Sequence, residues 1–239
     1  GIIFSGFYFH MSECIVLAIS DFLLHSALAF LVYLVSIYIV ESIALYKFEY
    51  RDEILRKKNM TYSLICFTHS ICLAFIVKTI LEVSQDSLIV LLLLWPFTMV
   101  VMGFAIKSYR FISKLSFDKH LLLKDLGMSL SYTGYFWGWT FIICSAIPQN
   151  IIEIRWYTIQ IILKILLSLI IFPVIQKSLI WMFRMKDDFD KSSHDQGKGG
   201  QLSKIGYGIY EGSLFFTSCY LTSVITGNIH FGSYYPVTP

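Results

Sequence analysis

The sequence predicts an all-α, polytopic membrane protein with about six transmembrane helices, arranged as three tandem hairpins with parallel topology. The first observation is composition, because 56% of the 239 residues are hydrophobic and only 15% are charged. Soluble domains average about 45–50% apolar and about 25% charged residues. The second observation is the presence of six apolar stretches whose lengths are close to the roughly 20 residues needed to cross about 30 Å of hydrocarbon. The third is that basic residues collect in alternate connecting loops.

The six predicted spans are too long for an outer-membrane barrel, whose strands cross with about 10 residues each. A shorter apolar segment precedes them and ends at Ser20 and Asp21, a pair typical of a helix N-cap. We therefore expect residues 1–21 to form an interfacial N-terminal segment, with a seventh span as the alternative. Residues 229–239 form the expected extracytoplasmic tail. The predicted spans are 22–46, 60–81, 87–106, 127–147, 156–183 and 205–227.

The distribution of Lys and Arg predicts the orientation of these spans. Three loops on one side carry five basic residues each, which together make 15 of the 19 in the chain. The loops on the other side carry Arg155 alone. Because short cytoplasmic loops retain Lys and Arg, we expect both termini to be extracytoplasmic in a multi-pass plasma-membrane protein. The three basic loops are 47–59, 107–126 and 184–204.

The even spacing of the basic loops predicts an internal repeat. The membrane domain at 22–228 divides into the hairpins 22–82, 87–149 and 156–228. In the second helix of each hairpin, two small residues stand four positions apart at a similar depth. Such residues share one helix face and allow close helix packing in lipid. The pairs are Cys66 and Ser70, Gly134 and Gly138, and Ser213 and Thr217.

Four ionisable residues within the spans are candidate functional groups, since each costs about 2.5–3.5 kcal/mol to insert. Glu41 and Glu211 stand at equal predicted depth, about 9 Å from the basic-loop side. His69 is near mid-membrane, and Lys164 is about 12 Å from the opposite side. These groups can line an ion or proton path, or each can be a buried polar residue satisfied by its neighbours. Lys78 and Glu82, one turn apart, are expected to form an ion pair.

The sequence contains no arrangement that predicts catalysis or a cofactor. The five cysteines have no CxxC spacing and are expected to be reduced packing residues. The acidic loop 184–204 lacks EF-hand spacing, so a solvated loop is expected there and no metal site. No Ser-His-Asp, HExxH or Walker A pattern occurs, which predicts a protein that is not an enzyme. A net charge of +3 without a basic stripe also predicts no nucleic-acid partner.

The first two hairpins carry related runs, LYKFEYRDEILRKKNMTYSLICFTHSICLAFIVKTI and FDKHLLLKDLGMSLSYTGYFWGWTFIICSAI. In each run a charged loop leads into a helix, with Asn59 before the first helix and Gly134, Gly138 and Ser145-Ala146-Ile147 in the second. These features resemble a bacterial inner-membrane family of repeated helical hairpins, catalogued as domain of unknown function 350. The resemblance covers about 20–230 and implies a bacterial plasma membrane. It implies no known reaction.

Two functions are consistent with this pattern. The favoured one is a non-catalytic subunit or scaffold of a membrane assembly, whose partners are the lipid bilayer and either further copies of the chain or other membrane subunits. The alternative is a channel or transporter for small ions or solutes. A conducting path predicts that Glu41, His69, Lys164 and Glu211 converge on one wet cavity. A scaffold predicts that they scatter or pair individually.

Overall fold

The computed structural model describes residues 2–3, 15–49, 51–84, 87–113, 117–148, 154–182, 198–229 and 231. Within these residues the chain forms α-helices joined by short connections, with one π-helix at Arg51–Arg56 and no β-strand. The predicted all-α class is therefore confirmed. In chain order the α-helices are α1 (Ile15–Ala44), α2 (Met60–Val83), α3 (Leu88–Ile112), α4 (Phe117–Leu122), α5 (Leu126–Ala146), α6 (Ile154–Met182) and α7 (Lys198–Gly227).

Four of these helices are long and apolar enough to cross a membrane, as a polytopic membrane protein requires. The predicted spans 127–147 and 205–227 are also helical, as α5 and α7. Length and apolarity do not mark these two helices as spans, because Gly, Ser, Thr and Tyr lower their mean hydropathy. The four qualifying segments are Ala18–Ala44, Met60–Val83, Leu88–Ile112 and Trp156–Met182.

The most extensive helix contact joins α5 to α7. It depends on glycines, because a Cβ added at Gly134 would overlap the backbone of Gly212. A Cβ added at Gly208 would likewise overlap the backbone of Gly127. Close backbone approach through small residues is a principal way in which helices associate in lipid. The glycines thus fix α5 and α7 as the central pair of the fold.

The structure places the predicted packing pairs unequally. Gly134 lies at the α5–α7 contact, and a Cβ at Gly138 would come within 2.5 Å of the Cβ of Cys219 on α7. Ser213 and Thr217, by contrast, are exposed, so within the single chain they do not take part in the α5–α7 contact. The residues that meet α5 include Gly208 and Gly212. One residue along a helix rotates the side chain by about 100°, so Ser213 faces away when Gly212 faces inward.

The small-residue pair of α2 has a different neighbour. Cys66 is buried and Ser70 is half-buried, and both line a groove between α1 and α2. The hydroxyl of Tyr33 on α1 donates to the backbone carbonyl of Ser70 at 3.1 Å. This pair therefore faces α1 and a groove, whereas the glycines of α5 meet a helix backbone directly.

The connections before α2 and α5 repeat the same local structure. In each, a short helix is followed by a lysine with positive φ, 48° at Lys58 and 55° at Lys124. The next residue, Asn59 or Asp125, then caps the long helix with its side-chain oxygen. The two lysines are 66 residues apart, and a positive φ is uncommon for any residue other than glycine. The first two hairpins thus share a backbone design.

Two predicted boundaries are corrected. Helix α1 begins at Ile15 and continues through Ser20 and Asp21, so this pair is not an N-cap. A cap requires a non-helical backbone, whereas the apolar residues that precede this pair extend the helix. Helix α7 begins at Lys198, which makes 198–204 helical where a loop was predicted. The rest of the N-terminal segment, residues 184–197 of the third basic loop, and residues 230 and 232–239 of the tail lie outside the described residues.

Candidate functional site

The carboxylate of Glu211 is buried where α3, α5 and α7 meet. Its side chain accepts a hydrogen bond from the hydroxyl of Ser113 at 3.1 Å and a second one from the hydroxyl of Ser131. The hydroxyl of Tyr109 in turn donates to Ser131 at 3.1 Å. Glu211 is only 8% exposed, so these neutral donors replace the water that the carboxylate loses. The three hydroxyl groups belong to residues that lie 80–102 positions before Glu211 in the sequence, and the sequence pattern did not identify them.

A cluster of aromatic side chains packs beside this carboxylate site inside the helix bundle. Tyr109 packs edge-to-face with Tyr132, with ring centroids 5.1 Å apart, and Tyr135 packs similarly with Phe215 at 5.2 Å. All four side chains are almost fully buried. Edge-to-face contacts are favourable for aromatic rings, and a dry surrounding strengthens hydrogen bonds. The cluster therefore holds the Glu211 site in a rigid, low-dielectric core.

His69 is fully buried between α2 and α5. Its Nε2 atom makes a 2.8 Å hydrogen bond with the hydroxyl of Tyr132, and its ring lies 4.7 Å from that of Phe136. Its Nδ1 atom has no hydrogen-bond partner among the described residues. His69 is therefore a packing residue of the α2–α5 contact in which one ring nitrogen, Nε2, has a hydrogen-bond partner.

Lys164 is 1% exposed, and its ammonium donates to the backbone carbonyl of Gly227 at 3.0 Å. Gly227 is the last residue of α7. Helix C-termini carry partial negative charge on unpaired carbonyls, and a cation there is favourable. The hydroxyl of Ser168, one turn along α6, donates to Thr226 at 3.1 Å beside it. Lys164 thus joins α6 to the end of α7.

Glu41 is half-buried on α1 and lines the same groove as Cys66 of α2. This groove, of about 530 Å³, lies between α1, the π-helix and α2. The groove walls combine apolar side chains, including Ile37 and Phe67, with the hydroxyls of Ser63 and Ser70. Glu41 and Glu211, which have equal predicted depth, therefore have different helices and different partners around them.

The four candidate residues do not come together. Glu41 lies between α1 and α2, His69 between α2 and α5, Glu211 among α3, α5 and α7, and Lys164 between α6 and α7. His69, Lys164 and Glu211 each make a hydrogen bond across their own helix contact, and Glu41 lines a groove at its own. This arrangement is the scattered one, in which the four residues stand at four different helix contacts.

A polar network between the first two basic loops was missed by sequence analysis. The amide of Asn59 donates to the Glu53 carboxylate at 3.0 Å and to the carbonyl of Leu121 at 3.3 Å. The ammonium of Lys57 donates to the other oxygen of Glu53 at 2.6 Å. Lys124 donates to the carbonyl of Lys57 at 2.5 Å. Asn59 thereby caps α2 and also fastens one loop to the other.

This network lowers the pKa of Glu53. Burial raises the pKa of the carboxyl, but hydrogen bonds from Asn59 and Lys57 and the charges of Lys57 and Lys124 lower it by more. The net result is a pKa below the ordinary value of 4.5. The folded loops therefore favour the ionised form of Glu53.

Further ion pairs hold the same end of the molecule together. Asp118 accepts from Lys47 at 2.9 Å and lies 3.4 Å from Arg110. Arg110 also donates to the carbonyl of Ala44 at the end of α1. The loops at 47–59 and 107–126 thus contact each other, as loops on one side of a membrane can. At the opposite end of α2, Lys78 and Glu82 form the predicted ion pair, with Nζ and Oε1 3.2 Å apart.

The fold and these buried groups define an all-α protein with four helices able to cross a membrane. In the part of the chain that the structure describes, no three His, Cys, Asp or Glu side chains cluster as a metal site. Comparisons with protein-family models, with curated proteins and with solved structures found no match.

Proposed function

We propose that this chain is a non-catalytic subunit or scaffold of a membrane assembly in a bacterial plasma membrane. The observation that carries the proposal is the separation of Glu41, His69, Lys164 and Glu211, of which the last three each have a local hydrogen-bond partner. Polar groups satisfied in this way fix helices against one another. A conducting path needs such groups around a shared cavity.

The outer helices supply surface for the assembly. In the most apolar stretch of each helix, only 22% of the residues of α1 and 28% of those of α6 are buried, whereas 61% of those of α2 are buried. Exposed side chains on these helices include Leu31 and Tyr38 of α1 and Ile170 of α6. In a bilayer such faces contact lipid, a second copy of the chain or another membrane subunit.

The proposal includes six spans, with α5 and α7 as the central two. Their lower apolarity suits helices that pack mainly against other helices, because the α5–α7 glycine contact and the aromatic cluster replace lipid around them. The basic loops then lie in the cytoplasm and both termini lie outside, as the positive-inside distribution of Lys and Arg predicts.

The second candidate function is transport of a proton or small cation. It is favoured by the Nδ1 atom of His69, which lacks a partner among the described residues, and by the carboxylate of Glu41 beside a groove. A relay through His69 requires water or a solute at Nδ1. The test of the first function therefore includes a measurement of flux.

One preparation tests both functions. The chain is purified in native nanodiscs, its copy number and co-purifying proteins are measured by mass spectrometry, and ion flux is measured after reconstitution into vesicles. The scaffold proposal expects a defined oligomer or a stoichiometric partner, with flux equal to that of protein-free vesicles. Flux that Glu41→Gln or His69→Gln abolishes, while Glu82→Gln as control retains it, would replace this proposal with transport.

A further inference from the structure

A second groove, of about 490 Å³, runs between α1 and α3 on the outside of the bundle. Its walls are apolar side chains, chiefly Ile39 and Ile43 of α1 and Met99, Val100 and Phe104 of α3. This groove is separate from the groove beside Glu41, which α1 forms with α2. Its lining therefore differs in kind, since it has no carboxylate.

Local features shape the two ends of this groove. At one end the indole N–H of Trp95 donates to the hydroxyl of Ser36 at 2.8 Å, which fixes the ring between α3 and α1. Further along, Gly103 has no side chain, and a Cβ there would lie 3.3 Å from Cδ1 of Ile43. Lys107 lines the groove at the end near the basic loops. The groove is thus apolar along its length and cationic at one end.

The length of the groove matches one leaflet of a membrane. Pro96 and Lys107 both line it, and eleven residues of α-helix rise about 16 Å. Half of the hydrocarbon core is about 15 Å thick. A lipid acyl chain that starts beside Lys107 therefore reaches the region of Pro96 and Trp95 near mid-membrane.

The charge of Lys107 selects the headgroup. Its side chain is exposed, and no carboxylate lies within ion-pair distance of it among the described residues. An ammonium at the membrane boundary attracts the phosphate of an anionic lipid, and each such residue contributes about 1 kcal/mol. Arg110, three residues further along α3, is already engaged with Asp118 and the carbonyl of Ala44.

We propose that the groove between α1 and α3 binds one anionic phospholipid, with an acyl chain along Ile43, Met99 and Val100 and the phosphate at Lys107. This site is independent of whether the chain acts as a scaffold or a transporter. It requires only that α1 and α3 cross the membrane. The bound lipid fills the space between these two helices in the leaflet next to the basic loops.

The experiment measures lipid retention by native mass spectrometry of the full chain, taken from nanodiscs containing equal amounts of phosphatidylglycerol and phosphatidylcholine. We expect the chain to retain one lipid, with about five times as much phosphatidylglycerol as phosphatidylcholine. This ratio corresponds to the attraction of one lysine for an anionic headgroup. Lys107→Gln should reduce this ratio to near one. Lys119→Gln is the matched control, because Lys119 is an exposed lysine on α4 outside the groove, and it should keep the ratio.

A second variant tests the apolar wall without touching charge. Val100 is 71% exposed, so Val100→Trp fills the groove and leaves the core unchanged. We expect it to reduce retention of both lipids, with unchanged helix content by circular dichroism. The proposal is overturned if Lys107→Gln retains phosphatidylglycerol as well as Lys119→Gln does, or if Val100→Trp retains either lipid at the level of the original chain. Occupation of the groove by a second copy, seen as a dimer with no retained lipid, also overturns it.

Discussion

Replacement of Gly134 by alanine tests the central helix contact directly. The added methyl would overlap the backbone of Gly212, and a backbone cannot rotate aside as a side chain can. Helices α5 and α7 must therefore separate, which weakens the most extensive contact in the fold. Overpacking of this kind costs about 1–3 kcal/mol. The gain in helix propensity from Gly to Ala is about 1 kcal/mol, so the expected net loss is up to about 2 kcal/mol.

The chain offers a matched control in the same helix pair. At Gly206 on α7 a Cβ would meet nothing within 4 Å, so Gly206→Ala gains helix propensity without a clash. We expect Gly206→Ala to raise the free energy of unfolding and Gly134→Ala to lower it, measured by equilibrium unfolding in mixed detergent micelles. If the two variants shift the unfolding free energy in the same direction and by the same amount, the close contact between α5 and α7 is refuted.

Four further outcomes are expected. Asn59→Ala should lower the free energy of unfolding by about 1–3 kcal/mol, because it removes a helix cap and two donated hydrogen bonds; Asn59→Ser keeps a cap oxygen without placing a charge beside Glu53 and should recover part of this loss. The free energy of unfolding should fall as the pH drops through the lowered pKa of Glu53. Above pH 4.5, the ordinary pKa of this carboxyl, its ionised form stabilises the fold, and that stabilisation is lost as the carboxyl is protonated. Glu53→Gln should show less of this acid dependence. Lys164→Met should change the unfolding free energy by less than about 1 kcal/mol, because the lost bond to a neutral carbonyl is offset by removal of a buried charge, whereas Lys164→Glu should be strongly destabilising. Cysteines introduced at Gln85 should react with an impermeant reagent outside intact cells, and those introduced at Arg56 should not.

Each of these outcomes has a clear contradiction. An Asn59→Ala chain as stable as the original would show that the loop network contributes nothing. An acid profile that Glu53→Gln leaves unchanged would assign the pH dependence to another group. A large loss in Lys164→Met would indicate a charged partner for the ammonium in place of the Gly227 carbonyl. External labelling at Arg56→Cys would reverse the proposed orientation.

The positions of the long helices were largely predictable because hydrophobic length is a property of each segment alone. The span predicted at 60–81 is the helix Met60–Val83, and the cap at Asn59 marks its start. The start of α1 was mispredicted since Ser20 and Asp21 are a cap only if the backbone before them leaves the helix. Local sequence signals do not decide that choice when an apolar run precedes them.

The facing residues were less predictable than the helices. Helix α7 carries small residues on two adjacent faces, Gly208 and Gly212 on one and Ser213 and Thr217 on the next. Only the partner helix determines which face is buried. The donors around Glu211 likewise depend on how α3, α5 and α7 meet, so no spacing within one helix identifies them.

The order of the helices along the chain has a consequence for biosynthesis. Helix α6 is synthesised between α5 and α7, so the glycine face of α5 does not meet its partner glycines until α7 emerges from the ribosome. The carbonyl of Gly227, which receives Lys164, is also made only at that stage. A nascent chain that stops after α6 therefore lacks the central contact of the bundle and leaves a buried lysine unsatisfied, so truncation before α7 should be as damaging as loss of α5.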